Sequence, residues 1–259
     1  MKATCTNPIY FKKILDTISI LVEDVNLQCN EKGIFIQGLD PSKVSMFKLI
    51  LKSSFFETYE CNSNVMLGVN IPTILQIMKH LDEKKSFTLK TNKKLTKLKF
   101  QINNSGYSLN FTTSLKKLNK DGTIIPKILA SATIKITTKS FTKLIDELNQ
   151  KGDKVNITVC TNHIFLSTDK CPNTAINLDC QYPNDVNIQV NEKMSFDITF
   201  SLRFLKIFSK ASNLTKNVII EITKDFPISI FFYFPKNLGL IEYHLAPMVT
   251  DCDDQDEKS

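Results

Sequence analysis

The 259 residues, 42% hydrophobic and 23% charged, give room for two domains of roughly 125 residues, each with an ordinary hydrophobic core. No apolar run reaches the ~18–20 residues that span a bilayer, and residues 1–8 lack the apolar stretch of a signal peptide. The formal charge of +7 is uneven: residues 251–259 hold five acids and one lysine, net −4, so the first 250 residues carry +11 and point to a polyanion, nucleic acid before membrane.

In chain order, a helix opens each half. Phe11, Ile14, Leu15, Ile18 and Leu21 share one stripe, and Phe141, Leu144, Ile145 and Leu148 share another, with Ser140 as the expected N-cap of the second. Period-two strands follow at 25–29 and 34–37, and again at 155–159 and 164–167, with hairpin-length gaps. A second helix starts at Asn70-Ile71-Pro72, where Asn70 can cap and Pro72 lacks only an N–H that would go unpaired, and its stripe is Ile71, Ile74, Leu75 and Met78. Its counterpart starts at Ser201 and buries Leu202, Leu205 and Phe208. Further strands are expected at 86–91, 95–110, 218–223 and 228–234. The segment 114–129 has lysines, Gly122 and Pro126 but no sustained period, and reads as a linker between domains.

The two halves are one unit written twice. Phe11-Lys12-Lys13-Ile14-Leu15-Asp16 returns as Phe141-Thr142-Lys143-Leu144-Ile145-Asp146, and landmarks at 25, 34 and 74 return at 155, 164 and 204, a constant offset of 130. The expected fold class is therefore α+β: two tandem similar domains, each with two short helices on antiparallel sheets, divided as 1–113, 114–129 (linker), 130–250 and an acidic tail 251–259.

Both halves put basic residues on the solvent sides of their helices: Lys12 and Lys13 on the first, Lys79 on the second, Lys143 on the third, and Arg203, Lys206 and Lys210 on the fourth. Acids are there too, at Asp16, Asp146 and Glu147. Arg203 is the only arginine, and lysine is a flexible point charge suited to phosphate rather than to bidentate reading of bases. A coding bias toward lysine and asparagine explains the lysine surplus as well.

Chemistry-bearing motifs are missing. The seven cysteines form no C-x-x-C pair, which argues against a zinc site or disulfide framework and for a reducing compartment. His80, His163 and His244 sit in no metal pattern, and there is no Gly-rich phosphate loop or G-x-S-x-G. The expectation is a non-enzyme with no metal and no cofactor.

Several spaced motifs resemble one family. Gly38-Leu39-Asp40-Pro41-Ser42-Lys43-Val44-Ser45 is similar to its "MDSSHVS", and Phe56-Glu57-Thr58-Tyr59-Glu60-Cys61 with Leu67-Gly68-Val69-Asn70 to its "F-x-x-Y-x-C…GVN". Residues 202–211 resemble "LRYLNFFTKA" and Leu245-Ala246-Pro247 "LAPK". These are motifs of the proliferating cell nuclear antigen family of eukaryotic DNA sliding clamps, and the resemblance covers residues 1–250 in order.

That resemblance implies the DNA clamp fold and a pseudo-sixfold ring of three subunits around duplex DNA, bound without regard to sequence. It implies processivity for DNA polymerase, recruitment of a clamp loader and of replication and repair proteins through short apolar peptides, a nuclear location, and no membrane. The hole-facing positions it assigns are Lys12, Lys13, Lys79, Lys143, Arg203 and Lys210, to which the helix-face reading adds Lys206, with Gln76 and Asp146 where the family has further basic residues. Its subunit interface falls on Tyr107, Leu109 and Phe111 of one subunit and Ala175, Ile176, Leu178 and Cys180 of the next. Its partner-peptide groove falls on Leu39, Lys43, Val44, Met46, Ile125, Pro126, Pro227, His244, Ala246 and Pro247, with Lys43 in place of a histidine and His244 in place of a tyrosine. The linker is basic here and acidic in the family, and the family's lysine for ubiquitin-type modification aligns with Thr161. A subunit of a heterotrimeric clamp, a viral clamp relative in a viral replication compartment, and an enzyme using the cleft between the repeats stand as alternatives.

Overall fold

The computed structural model describes residues 1–81, 85–104, 107–119, 129–160, 163–178, 186–191 and 195–248. In the first half, β1 (Lys2–Cys5) leads into α1 (Pro8–Ile18). Next come β2 (Asp24–Asn30), β3 (Gly33–Leu39), β4 (Ser45–Lys52), β5 (Thr58–Glu60), β6 (Val65–Asn70) and α2 (Ile71–Met78). The half closes with β7 (Ser86–Thr91), β8 (Lys97–Asn104) and β9 (Tyr107–Ser114). The second half repeats this order: β10 (Ala132–Thr137), α3 (Thr138–Lys151), β11 (Lys154–Val159), β12 (Ile164–Thr168), β13 (Cys171–Leu178), β14 (Val186–Val190) and β15 (Phe196–Ser201). Then follow α4 (Leu202–Phe208), continued by a 3-10 segment at Ser209–Leu214, and β16 (Asn217–Ile222), β17 (Ile228–Tyr233) and β18 (Gly239–Leu245). None of the described helices is long and apolar enough to cross a membrane.

Local chemistry sets the helix starts. Asn7 accepts from the Tyr10 N–H and Asn70 from the Thr73 N–H, each satisfying a donor of the first turn, with Pro8 and Pro72 just inside. The third helix starts earlier than expected: its cap is Thr137, whose hydroxyl accepts from the Ser140 N–H, so Ser140 is the third helical residue and not the cap. Leu21 is buried but lies beyond the end of α1, and Leu75 is only half-buried while Ile77 joins the α2 core face. The run 95–110 is two strands, not one: Leu95 sits in a turn with φ of 49°, and β8 and β9 form a hairpin.

Among the described residues all pairings are antiparallel, in three sheets. One has five strands, ordered β5-β1-β7-β8-β9, and one has four, ordered β13-β12-β11-β15. The third, of nine strands ordered β14-β10-β16-β17-β18-β4-β3-β2-β6, joins the two halves through β18 and β4, with Tyr243 opposite Phe47 and Leu245 opposite Ser45. Alternation sends Phe47, Leu49, Leu51, Ile241 and Tyr243 into the core beneath the helices, where Tyr243 stacks on Phe208 at 4.5 Å.

The four helices form one continuous layer on the inner faces of the sheets. α1 packs on α2 on one side and on the 3-10 continuation of α4 on the other, and α3 packs on α4 and that same continuation. The Tyr10 hydroxyl donates to the Leu214 carbonyl at 2.8 Å across the boundary between the halves. Phe11 holds α1 to the five-stranded sheet through Phe87, 5.2 Å between ring centres.

Candidate nucleic-acid interface

The helix layer buries its apolar stripes against the sheets and turns its other side to solvent. On that side Lys13, Lys79, Lys143, Arg203, Lys206 and Lys210 are exposed and Lys12 is half-exposed. Helices from both halves therefore contribute exposed basic residues to the one helix layer. Its charges are not equally available. Lys206 pairs with the Asp146 carboxylate, tying α4 to α3, and Lys143 lies 3.8 Å from Glu147 one turn away. The Arg203 guanidinium lies 5.8 Å from the centre of the Phe204 ring.

Lys139 belongs to this surface although the sequence pattern does not select it. It is exposed in the first turn of α3 and, with Lys143, Asp146 and Asn213, lines an open groove between α3 and the 3-10 segment. A helix start at Ser140 leaves Lys139 in the approaching loop; Thr137, an equally good capping residue, is the signal that places it on the helix.

A second set of expected residues gathers on the outer face of the nine-stranded sheet. Leu39, Met46, His244 and Ser229 stand opposite one another on β3, β4, β18 and β17. Met46 and His244 are 3% and 4% exposed, Leu39 is half-buried and Val44 is exposed at the rim. Ala246 donates its N–H to the Val44 carbonyl at 3.0 Å, bringing the segment after β18 alongside the 40–44 loop, and Pro227 and Pro247 are half-buried. Ile125 and Pro126 lie outside the described residues, as do Cys180, Thr161 and the tail.

Asp40 builds that loop. Its carboxylate accepts from the Ser42 N–H at 2.9 Å, the Ser45 N–H at 2.5 Å and the Ser42 hydroxyl, and its carbonyl accepts from the Lys43 N–H, which holds Lys43 at φ of 59°. Burial pushes the Asp40 pKa up, but the hydrogen bonds from Ser42 and Ser45 outweigh it and hold the group below the ordinary carboxylate value.

His244 places Nδ1 2.8 Å from the Ser229 hydroxyl and Nε2 2.6 Å from Glu242, whose carboxylate is 3.8 Å from Lys48. Burial, then the Glu242 charge, raises the pKa of nearby Glu221. Nothing in the sequence announces this polar cluster, because period-two patterning does not say which strands become neighbours.

The start of the linker is anchored. Lys116 reaches Asp24 at 2.7 Å and donates its backbone N–H to the Gly68 carbonyl at 2.8 Å, while Asn26 donates to the Asn119 carbonyl at 2.8 Å. Gly68 is required by this approach, since a Cβ there would collide with the Lys116 carbonyl.

The expected interface residues lie on edge strands. β9 ends the five-stranded sheet and carries Tyr107, Leu109 and Phe111; β13 ends the four-stranded sheet and carries Ala175, Ile176 and Leu178. Tyr107 is 60% exposed.

Two similar antiparallel domains, joined edge to edge beneath one layer of four helices, define a DNA clamp fold. Family models agree: residues 1–123 match "Proliferating cell nuclear antigen, N-terminal domain" and residues 124–248 match "Proliferating cell nuclear antigen, C-terminal domain". The chain is 30% identical over 257 residues to "Proliferating cell nuclear antigen 2" of Plasmodium falciparum, covering 93% of this chain and 96% of that protein. It is 27% identical over 248 residues to "Proliferating cell nuclear antigen" of Chaetomium thermophilum, covering 93% and 95%. The chain belongs to the proliferating cell nuclear antigen family, the non-enzymatic DNA sliding clamps of replication and repair.

Proposed function

We propose that three copies of this chain close into a ring that encircles duplex DNA, acts in the nucleus, and tethers DNA polymerase and other replication and repair proteins. The observation that carries this reading is the helix layer: helices from both repeats pack into one layer and carry exposed basic side chains, which suits a tracked polyanion. Lys12, Lys13, Lys79, Arg203 and Lys210 are the proposed phosphate contacts, with Lys139 added; Lys143 and Lys206, each beside a carboxylate, contribute less. A closed ring stays on DNA by topology, so weak lysine–phosphate contacts suffice and permit sliding.

The internal junction supplies a template for closure. Matching the β8–β9 hairpin to β17–β18, and the β12–β13 hairpin to β3–β4, makes β9 the counterpart of β18 and β13 the counterpart of β4. Since β18 pairs with β4 inside the chain, β9 of one copy pairs with β13 of the next in the same way, a head-to-tail contact that closes into a ring. Carried over, the register sets Tyr107 opposite Leu178 and Leu109 opposite Ile176. The outer row Leu39, Val44, Met46 and His244 is the proposed seat for the apolar peptides of partners and the clamp loader, with Ala246, Pro227 and Pro247 at its margin and Lys43 at its rim.

The test has two parts. Light scattering should give three times the 29.5 kDa of one chain. Protein loaded on a nicked circular DNA should be retained on gel filtration and lost after the circle is cut. Equal loss from circular and linear DNA would refute topological linkage.

A further inference from the structure

The face of the five-stranded sheet turned away from the helices carries a basic surface that the ring reading does not use. Lys2, Lys90 and Lys99 stand directly opposite one another on β1, β7 and β8. Lys97 lies two residues from Lys99 on the same face, and Lys93 and Lys94 project from the β7–β8 turn. That turn is held firmly: Asn92 accepts from the Thr96 and Lys97 N–H groups at 2.8 and 2.9 Å. Lys93, Lys94, Lys97 and Lys99 are exposed.

Like charges directly opposite across strands are destabilising, and neighbouring strands are only ~4.8 Å apart. The described strands of this sheet offer one acid in relief, Glu60, 3.4 Å from Lys2 at the far end of the row; Lys90 is left with the Gln101 amide oxygen at 3.3 Å. Lysine abundance alone does not account for three lysines placed in register. Beside them a polar groove lined by Lys2, Glu60, Asn62, Ser63 and Lys90 opens at the same end of the sheet.

We propose that this surface binds the sugar–phosphate backbone of a duplex nucleic acid lying outside the ring. Three features select that partner. The outward positions of these strands are lysine, threonine, serine, asparagine, glutamine and Glu60, so the face lacks the apolar anchors around which ordered protein partners are built. It presents no aromatic ring for stacking an unpaired base, which favours a duplex over a single strand. Its lysines hold no geometry for reading bases, so binding is to phosphate and independent of sequence. The inference goes beyond the ring reading, which needs only the opposite, helix-bearing side.

The experiment uses the full chain, a short fluorescent linear duplex and a salt series. Its variants are Lys90→Ala/Lys97→Ala/Lys99→Ala on the outer face and Lys13→Ala/Lys79→Ala/Arg203→Ala/Lys210→Ala on the helix face, separately and combined. The outer triple variant should bind several-fold more weakly at low salt, with the slope of log K against log salt reduced by ~2–3, at about 0.9 for each phosphate no longer neutralised. The matching Lys→Arg triple should bind as the wild type does, and melting temperature should hold in all of them. The helix-face variant should retain outer-face binding, and the combined variant should lose it. Unchanged affinity and slope in the outer triple variant would overturn the proposal, as would complete loss of duplex binding in the helix-face variant alone. A polyglutamate peptide whose binding needs these lysines while duplex binding does not would also overturn it, making the face a site for acidic proteins. Failure of the ring reading looks different: the helix-face variant would then bind as the wild type does.

Discussion

Lys206 on α4 donates to the carboxylate of Asp146 on α3, so a lysine on the helix face is committed to a neighbour in the same chain. The ion pair clasps the two helices of the second half, whereas Lys12, Lys13 and Lys79 of the first half take part in no ion pair among the described residues. The two repeats therefore present unequal positive fields from equivalent elements.

Asp146→Asn should release Lys206 and remove a negative charge from the face. Duplex affinity is expected to rise at low salt, with the salt slope steepening by ~1, the increment for one more phosphate neutralised. Lys206→Ala should change affinity far less than Lys13→Ala does. A fluorescence titration across a salt series measures both, and an unchanged slope in Asp146→Asn would show that the freed lysine does not reach phosphate.

Neither edge strand proposed to join subunits, β9 or β13, contains a charged residue. Assembly should therefore resist salt: trimer mass is expected to persist from low to high ionic strength. Leu178→Pro removes a backbone donor from the pairing edge and should give monomers. Sedimentation velocity distinguishes the outcomes, and a Leu178→Pro protein that stays trimeric at low micromolar concentration would exclude β13 as the joint.

Asp40 gives the loop between β3 and β4 a pH limit. Its folded pKa is held below the ordinary value of 3.8, so its contribution is fully present above about pH 4 and is lost as pH falls through the lower folded value. Asp40→Asn should cost about 1.5–3 kcal/mol, the range for hydrogen bonds to charged groups. Its melting temperature should fall below that of the wild type at pH 7 and converge with it in acid. A difference that is constant down to pH 2 would separate the loss from ionisation.

The rim of the proposed peptide seat should favour acidic peptide flanks. Lys43 is exposed beside Val44, and Lys117 follows Lys116, whose own charge is held by Asp24. Of two peptides with the same apolar turn, the one flanked by glutamates should bind more tightly at low salt, by ~0.2–1 kcal/mol for each exposed pair, and the advantage should fade at high salt. Calorimetric titration checks this. Tighter binding of a lysine-flanked peptide would mean that another charge sets the local field.

The helices are legible in the sequence because a stripe at i, i+3 and i+4 is both a helix signal and a statement of which side is buried. Phe141, Ile145 and Leu148 reach the core as their spacing requires. The constant offset of 130 likewise carries over into matching elements, from α1 and α3 to β7 and β16. Strand partners are not legible. Alternation in β4 and β18 shows that each has a buried face, but nothing in either segment says that Phe47 will stand opposite Tyr243 from the other half. The turn at Leu95 is hidden for a related reason, since strand-like residues continue on both sides of it. The helix-face lysines can be read individually, but their pairing cannot: Asp146 and Lys206 are distant in sequence and meet only after two helices pack.

The strand that joins the halves is also among the last to be made. β4 needs β18 on one side, and β18 is made nearly 190 residues after β4. Until then β4 in the finished first half and β17 in the incomplete second half both expose bare hydrogen-bonding edges. The nascent protein therefore passes through an interval in which it is open to pairing with other chains, and its largest sheet closes late through contacts far apart in sequence, a topology that folds slowly. A chain cut just before Gly239 would lose β18, and with it the junction and the buried Ile241, Tyr243 and Leu245, and aggregation rather than weakened DNA binding would be its first defect.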